Sequence, residues 1–291
     1  MELPDDFSLI AKTIGFTEGP VWTSDNRLLV TSLSRGLVYS LDISAQENGA
    51  VDPIGAYETG GAPNGLAEGP GGTIYVAQNG DAAGRSRSTR PVTPGLQTII
   101  GGEVSDLPVC GANAPNDLAV DPNGRVWFTD PDAVQNGGAG SKVCIFDPAN
   151  GQVDTVITDL SFPNGLAFSP DCAELYVADS LADAIVRYRI DGGIPTEPSL
   201  FAQIPGMNPD GIAFDTNGNL YVAGFESNDV IVLDGGGGVL RRISTGGESH
   251  PTNLCFAGPN LDILVVTLLK GGRVAALKER IPGIHSRTWE Y

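Results

Sequence analysis

Basic side chains are scarce in this sequence. Seventeen lysines and arginines stand against 35 aspartates and glutamates, giving a formal charge of −18. A field of that sign repels a phosphate backbone or an anionic membrane surface, so neither nucleic acid nor membrane is an expected partner. Paired cysteines are missing too. Cys110, Cys144, Cys172 and Cys255 lie far apart with no Cys-x-x-Cys, which argues against a zinc ribbon or a dithiol redox motif. Reduced thiols in the cytoplasm are the expected state, with a Cys110–Cys144 pairing open in an oxidising compartment. No apolar run approaches the roughly 20 residues of a membrane span. The start, MELPDDFSLIAKTIGF, lacks a basic segment followed by an apolar one, so no signal peptide is expected. Histidine is limited to His250 and His285. An apolar period of 3.6 residues, the mark of amphipathic helices, is absent as well.

Turn formers and short apolar runs are abundant. The chain holds 39 glycines and 21 prolines, and 41% of it is hydrophobic, a composition that suits a folded protein with many turns. One motif recurs six times: FTEGPVW, APNGLAE, APNDLAV, FPNGLAF, NPDGIAF and, more loosely, HPTNLCF. Its polar position is read as Glu18, Asn64, Asn116, Asn164, Asp210 and Asn253, recurring every 43 to 52 residues. Each copy is followed by a turn such as DPNGR or DTNGN and then by an alternating run such as LLVTS, VWFTD or ELYVAD. A further strand follows in five copies. A four-stranded unit of this length, repeated six times, predicts an all-β six-bladed β-propeller with a central channel. Residues 1–291 are read as one such domain, with the segment from Phe7 to Lys12 joining the last blade to close the ring. Blade two carries an insertion with Arg85, Arg87 and Arg90, read either as a solvated loop or as a loop that touches an anionic substrate. A glycine-rich segment from Asp132 in blade three could cap a site.

Equivalent residues of a pseudo-symmetric ring converge. If the motif opens the innermost strand of each blade, its polar residues surround the channel at one level. The antiparallel strand that follows brings Ser32, Gln78, Asp130, Asp179, Gly224 and Thr267 to the same rim. Converging carboxylates raise one another's pKa unless a cation relieves them. Glu18, Asn116, Asn164 and Asp210 all offer oxygen, and their formal charge of −2 matches a divalent ion. Calcium is the expected ion on donor type, with zinc less natural because no imidazole or thiolate occurs at these positions. Asn and Asp also shape loops, but Glu18 is a poor local cap, so turn chemistry alone does not explain the set. For Asn64 and Asn253 both readings stay open.

The motifs FTEGPVW, APNDLAVDPNGRVWFTDP, FPNGLAFSPD with YVADS, and NPDGIAFDTNGNLYVA resemble those of the gluconolactonase and senescence-marker-protein (regucalcin-like) propellers, in order and over nearly the whole chain. Diisopropyl fluorophosphatase, a related calcium-dependent propeller, has a similar Glu, Asn, Asn, Asp set. The resemblance implies Glu18, Asn164 and Asp210 as metal ligands, with Asn116 completing the shell or binding substrate. It implies Asp210 as general base or nucleophile, and a bound calcium, zinc, magnesium or manganese ion. Asn64, Asn116, Asp117, Asn253 and His250 are the candidates for holding substrate, and Asp130 and Asp179 for orienting the amides from behind. His285, in the C-terminal tail, is read as structural. Ser32 and Ser180 lack the Gly-x-Ser-x-Gly context of a nucleophile. The expected activity is metal-dependent hydrolysis of a sugar lactone or related cyclic ester, a small-molecule substrate. The alternatives are phosphotriester hydrolysis or lyase or isomerase chemistry at the same site, or a propeller that only binds calcium or protein.

Overall fold

A computed structural model describes residues 3–43, 50, 52–81, 84, 86–107, 109, 111–131, 140–279 and 281–284. Arg85, Cys110, His285 and the segment 132–139 lie outside these. Blade one comprises β2 (Thr17–Trp22), β3 (Leu28–Ser32), β4 (Leu37–Leu41) and β5 (Gly55–Glu58), and blade two β6 (Pro63–Glu68), β7 (Ile74–Gln78), β8 (Gly95–Ile100) and β9 (Glu103–Leu107). Blade three is β10 (Leu118–Val120), β11 (Val126–Asp130), β12 (Lys142–Asp147) and β13 (Gln152–Ile157), followed in blade four by β14 (Pro163–Phe168), β15 (Glu174–Asp179), β16 (Ala184–Asp191) and β17 (Ile194–Gln203). Blade five holds β18 (Pro209–Phe214), β19 (Leu220–Gly224), β20 (Asp229–Leu233) and β21 (Val239–Ser244), and blade six β22 (Pro251–Ala257), β23 (Ile263–Leu268) and β24 (Arg273–Lys278). The fourth strand of blade six is β1 (Phe7–Ala11), the first of the chain, which pairs antiparallel with β24.

Each sheet is a four-stranded antiparallel meander, and the six innermost strands touch in the order β2, β6, β10, β14, β18, β22 and back to β2. This is the six-bladed propeller that the repeats predict. No helix among the described residues is long and apolar enough to cross a membrane.

Blades adhere through the alternating side chains of their inner strands. The second strand of one blade sets an aromatic ring edge-on against the innermost strand of the next. Trp127 meets Phe168 at 5.4 Å, Tyr176 meets Phe214 at 5.0 Å, and Tyr221 meets Phe256 at 5.1 Å. Such T-shaped pairs contribute roughly 0.5–1.5 kcal/mol each beyond their buried area. Where the aromatic partner is missing, as with Tyr75 beside Val120 and Leu118, aliphatic side chains fill the same gap.

Candidate functional site

The ladder between the first two strands of a blade breaks at the repeated motif. Register shifts fall between Glu18 and Val21, Pro63 and Leu66, Pro163 and Leu166, Pro209 and Ile212, and Pro251 and Asn253. A bulge of this kind frees a residue from strand alternation and re-aims its side chain. Glu18, Asn64, Asn164 and Asp210 are all buried there, at the start of the innermost strands of blades one, two, four and five.

The buried acids interact. Burial pushes the Glu18 carboxyl up to about 8, and the negative charge of Asp117 adds to the rise. Asp210 is held well above the ordinary aspartate value, first by burial and then by the charges of Glu18 and Asp117. Asp117 itself is raised to about 6 by burial, against the lowering effect of hydrogen bonds from the amides of Leu118 and Leu166 and from Asn253. No lysine or arginine contributes to any of these three shifts.

Two amide oxygens are left without partners. The Oδ1 atoms of Asn64 and Asn164 are buried and accept no hydrogen bond. Asn164 owes its orientation to Ser180: its Nδ2 donates to Ser180 Oγ at 3.1 Å, and that hydroxyl donates onward to Pro209 O at 2.6 Å. The amide is thereby turned with its carbonyl oxygen free. Buried carboxyls held above their ordinary range and amide oxygens without a partner among the described residues are donors of the kind that suits a hard cation. Among the described residues no three His, Cys, Asp and Glu side chains cluster as a metal-binding group, so a shell here would need the amides.

Asn253 departs from the register read in the sequence. Pro63, Pro163, Pro209 and Pro251 occupy one register position, opposite Gln78, Asp179, Gly224 and Leu268 respectively. Thr252 therefore matches Asn64, Asn164 and Asp210, while Asn253 matches the glycine that follows them; Leu268, not Thr267, stands at the rim. Asp117 holds the glycine position in blade three. The two residues are built alike. Asp117 N donates to Thr129 Oγ1 at 3.0 Å and Asn253 N to Thr267 Oγ1 at 2.9 Å. Each side chain also accepts from the next amide, Leu118 or Leu254, at 2.9 and 2.8 Å. Blades three and six face each other across a six-membered ring, and Asn253 Nδ2 donates to Asp117 Oδ2 at 3.3 Å. A polar bridge thus spans the channel. Gly65 and Gly211 make room for it, because a Cβ would lie 2.4 Å from Asp117 Oδ1 on the first and 2.0 Å from Asn253 Oδ1 on the second. Beyond the bridge lies a cavity of about 90 Å³ walled by Leu66, Leu118, Leu166, Ile212, Leu254 and Phe256.

Asp130 and Asp179 are corrected as well. Asp130 accepts from the backbone amides of Asn113 and Ala114 and pairs with Lys142 at 3.4 Å. Asp179 accepts from Ser161 and Phe162. Both acids brace the loop that leads into an innermost strand, as Gln78 does by accepting from Ala62 N, and the residue behind Asn164 is Ser180. Asn116 is half-buried and tied through its backbone: its N donates to Thr129 O, and its carbonyl accepts from Gly65 N at 2.7 Å. His250, at φ 50°, stacks on Phe225 with ring centres 4.9 Å apart, and its Nδ1 lies 3.0 Å from Phe225 O. A carbonyl only accepts, so it is Nδ1 that donates in this contact. Cys144 is a buried free thiol, 3.6 Å from Thr155 Oγ1.

The fold is a six-bladed propeller whose innermost strands open on the buried Glu18, Asn64, Asn164 and Asp210. Residues 16–270 match the SMP-30/Gluconolactonase/LRE-like region, and the chain belongs to that family. It is 29% identical over 283 residues to a gluconolactonase of Zymomonas mobilis, spanning 88% of this chain and 77% of that protein. A 6-deoxy-6-sulfogluconolactonase of Pseudomonas putida is 35% identical over 167 residues, 55% of each chain. Among solved structures, a gluconolactonase of Xanthomonas campestris superposes with a TM-score of 0.76 at 25% identity, over 94% of this chain and 88% of that one.

Proposed function

We propose that the protein hydrolyses a lactone with the help of one divalent cation, calcium on donor type, held by Glu18, Asn164 and Asp210 at the mouth of the channel. The observation that carries this reading is a pair of buried acids, Glu18 raising Asp210 with no lysine or arginine among the described residues to offset it, together with the amide oxygens of Asn64 and Asn164, which have no partner among those residues. The relatives support the reaction class: they are named for lactones of neutral and of sulfonated sugars, so the lactone ring is what their substrates share. When bound, a divalent ion supplies charge to polarise an ester carbonyl and to offset the formal −2 of Glu18 and Asp210.

The remaining chemistry belongs to the chain. Ser180 holds the Asn164 amide with its oxygen facing the site. Asn116 completes the cation's shell or donates to a substrate oxygen, and Asn64 contacts substrate from the neighbouring blade. Asp117 and Asn253 form the floor on which the substrate rests, tied to each other at 3.3 Å. Asp210, when ionised, takes a proton from the attacking water. A carbon–oxygen bond forms to that water, the ring carbon–oxygen bond breaks, and the proton passes to the ring oxygen as it leaves. His250 stands at the rim as a further contact for the substrate.

Hydrolysis of a panel of sugar lactones should fall at least a hundredfold after chelation and return on adding calcium. Hydrolysis unaffected by metal removal would end the metal-dependent reading, and hydrolysis of no lactone in the panel would end the lactonase reading.

A further inference from the structure

The insertion of blade two, between β7 and β8, is bolted to the mouth of the channel. Ser86 N donates to Asp81 Oδ1 at 2.7 Å, and Ser86 Oγ donates to the carbonyl of Gly61, three residues ahead of Asn64. Gly61 N donates back to Arg90 O at 2.9 Å. Arg87 N donates to Ser34 O at 2.8 Å, in the turn that follows β3, whose last residue Ser32 pairs with Thr17 beside Glu18. Ser88 lies so close to Gly36 that a Cβ there would come within 2.7 Å of its own. The segment therefore crosses from blade two to blade one and ties the turn after β3 to the stretch that leads into β6. A loop that is only solvated has no need of so many anchors, each of which opposes its conformational entropy.

The arginines of this segment differ in use. Arg90 Nη1 donates to the carbonyls of Glu58 and Thr59, both at 3.0 Å, and Nη2 reaches Asp106 at 3.4 Å, so its charge is spent on the scaffold. Arg87 is exposed, and its guanidinium has no hydrogen bond or ion pair among the described residues. In a chain of net charge −18, with three acids inside the mouth, an anionic substrate meets repulsion before it meets anything else. An exposed guanidinium without a partner among the described residues, on a segment anchored beside the mouth, opposes that repulsion locally and offers planar donors that match carboxylate, phosphate and sulfonate oxygens alike.

We propose that Arg87 is a specificity-determining residue: it binds an anionic group on the part of the lactone remote from the ring, so that the protein favours anionic over neutral sugar lactones. The proposal rests on the lactonase reading above and deepens it by naming the substrate class. Matched six-carbon lactones bearing hydroxyl, carboxylate, phosphate or sulfonate at the far carbon are compared for wild type, R87A and R87K, each checked for an unchanged melting temperature. The anionic-to-neutral ratio of kcat/KM should fall about tenfold in R87A, through KM, and recover in part in R87K, since a hydrogen bond to a charged group contributes about 1.5 kcal/mol. Raising salt should erode the wild-type ratio in the same direction. The arms among the three anions show which oxygen geometry is preferred.

Calorimetric binding of the ring-opened acids, with and without the remote anion, decides the matter independently of turnover. A loss of affinity in R87A confined to the acids that carry the remote anion supports the proposal. A ratio that moves less than twofold in R87A, or equal loss for neutral and anionic ligands in both assays, overturns it. Failure of every lactone to be hydrolysed would strike the lactonase reading, while binding still judges Arg87.

Discussion

Glu18 and Asp210 are costly to bury and give little back to the fold on their own. Both carboxyls titrate above their ordinary range because burial and neighbouring acids disfavour the charge. Asp210→Asn and Glu18→Gln should therefore lower kcat by about a hundredfold or more, the scale of a lost acid–base group. In chelator their melting temperatures should match or exceed wild type, because a neutral amide replaces a buried carboxyl whose ionisation is disfavoured; kinetics and thermal melts on the same preparations check this. Ser180→Ala should act differently. It frees the Asn164 amide to turn, and calcium affinity measured by calorimetry should weaken about 10- to 100-fold, as for other groups that orient a ligand. That Glu18, Asn164 and Asp210 share one place at the head of the innermost strands was legible in the sequence, because a repeated motif places equivalent residues at equivalent points. Ser180 was passed over, since only its missing nucleophile context was weighed and its nearness to Asn164 depends on how the strands pair. Asp130 and Asp179 misled for a related reason: an acid that braces backbone amides and one that orients an amide side chain look alike in one dimension.

At the level of the strand, the ladder break is what turns a repeated dipeptide into a ring of inward-facing side chains. Bulges leave no reliable mark in a sequence, so the alternating runs revealed the strands while the register of the sixth motif was misread by one residue. The chemical likeness of Asn253 to Asn164 favoured the wrong alignment; the preceding Pro251 points to the right one, opposite Leu268. The glycines carry the complementary information. Gly211 faces Asn253 Oδ1 so closely that Gly211→Ala should force the bridge apart and destabilise the fold by about 1–3 kcal/mol, the usual penalty of overpacking. Denaturant unfolding of G211A, alone and combined with N253A, tests this. The double variant should recover part of the loss, since the atom that clashes is gone.

Across the whole molecule, the unrelieved acids make stability depend on pH. Native Glu18 keeps its proton up to about 8, whereas the unfolded chain releases it near 4.5. Between those values the folded state holds more protons, so raising the pH favours unfolding. In protein stripped of divalent ions, the melting temperature should drop progressively from about pH 5 to pH 8. Calcium should flatten that slope by binding the ionised form. Melts in chelator and in excess calcium across this range provide the check, and a melting temperature that rises with pH in chelator would contradict the charge arrangement described above.

The cross-channel contact between Asp117 and Asn253 also governs molecular traffic. On the lactonase reading, a substrate that enters at the acidic end meets a contact lying across its path, and a ring-opened acid lingering there bars the next arrival. If the proposed lactonase works at this mouth, its own product should inhibit it competitively against the lactone.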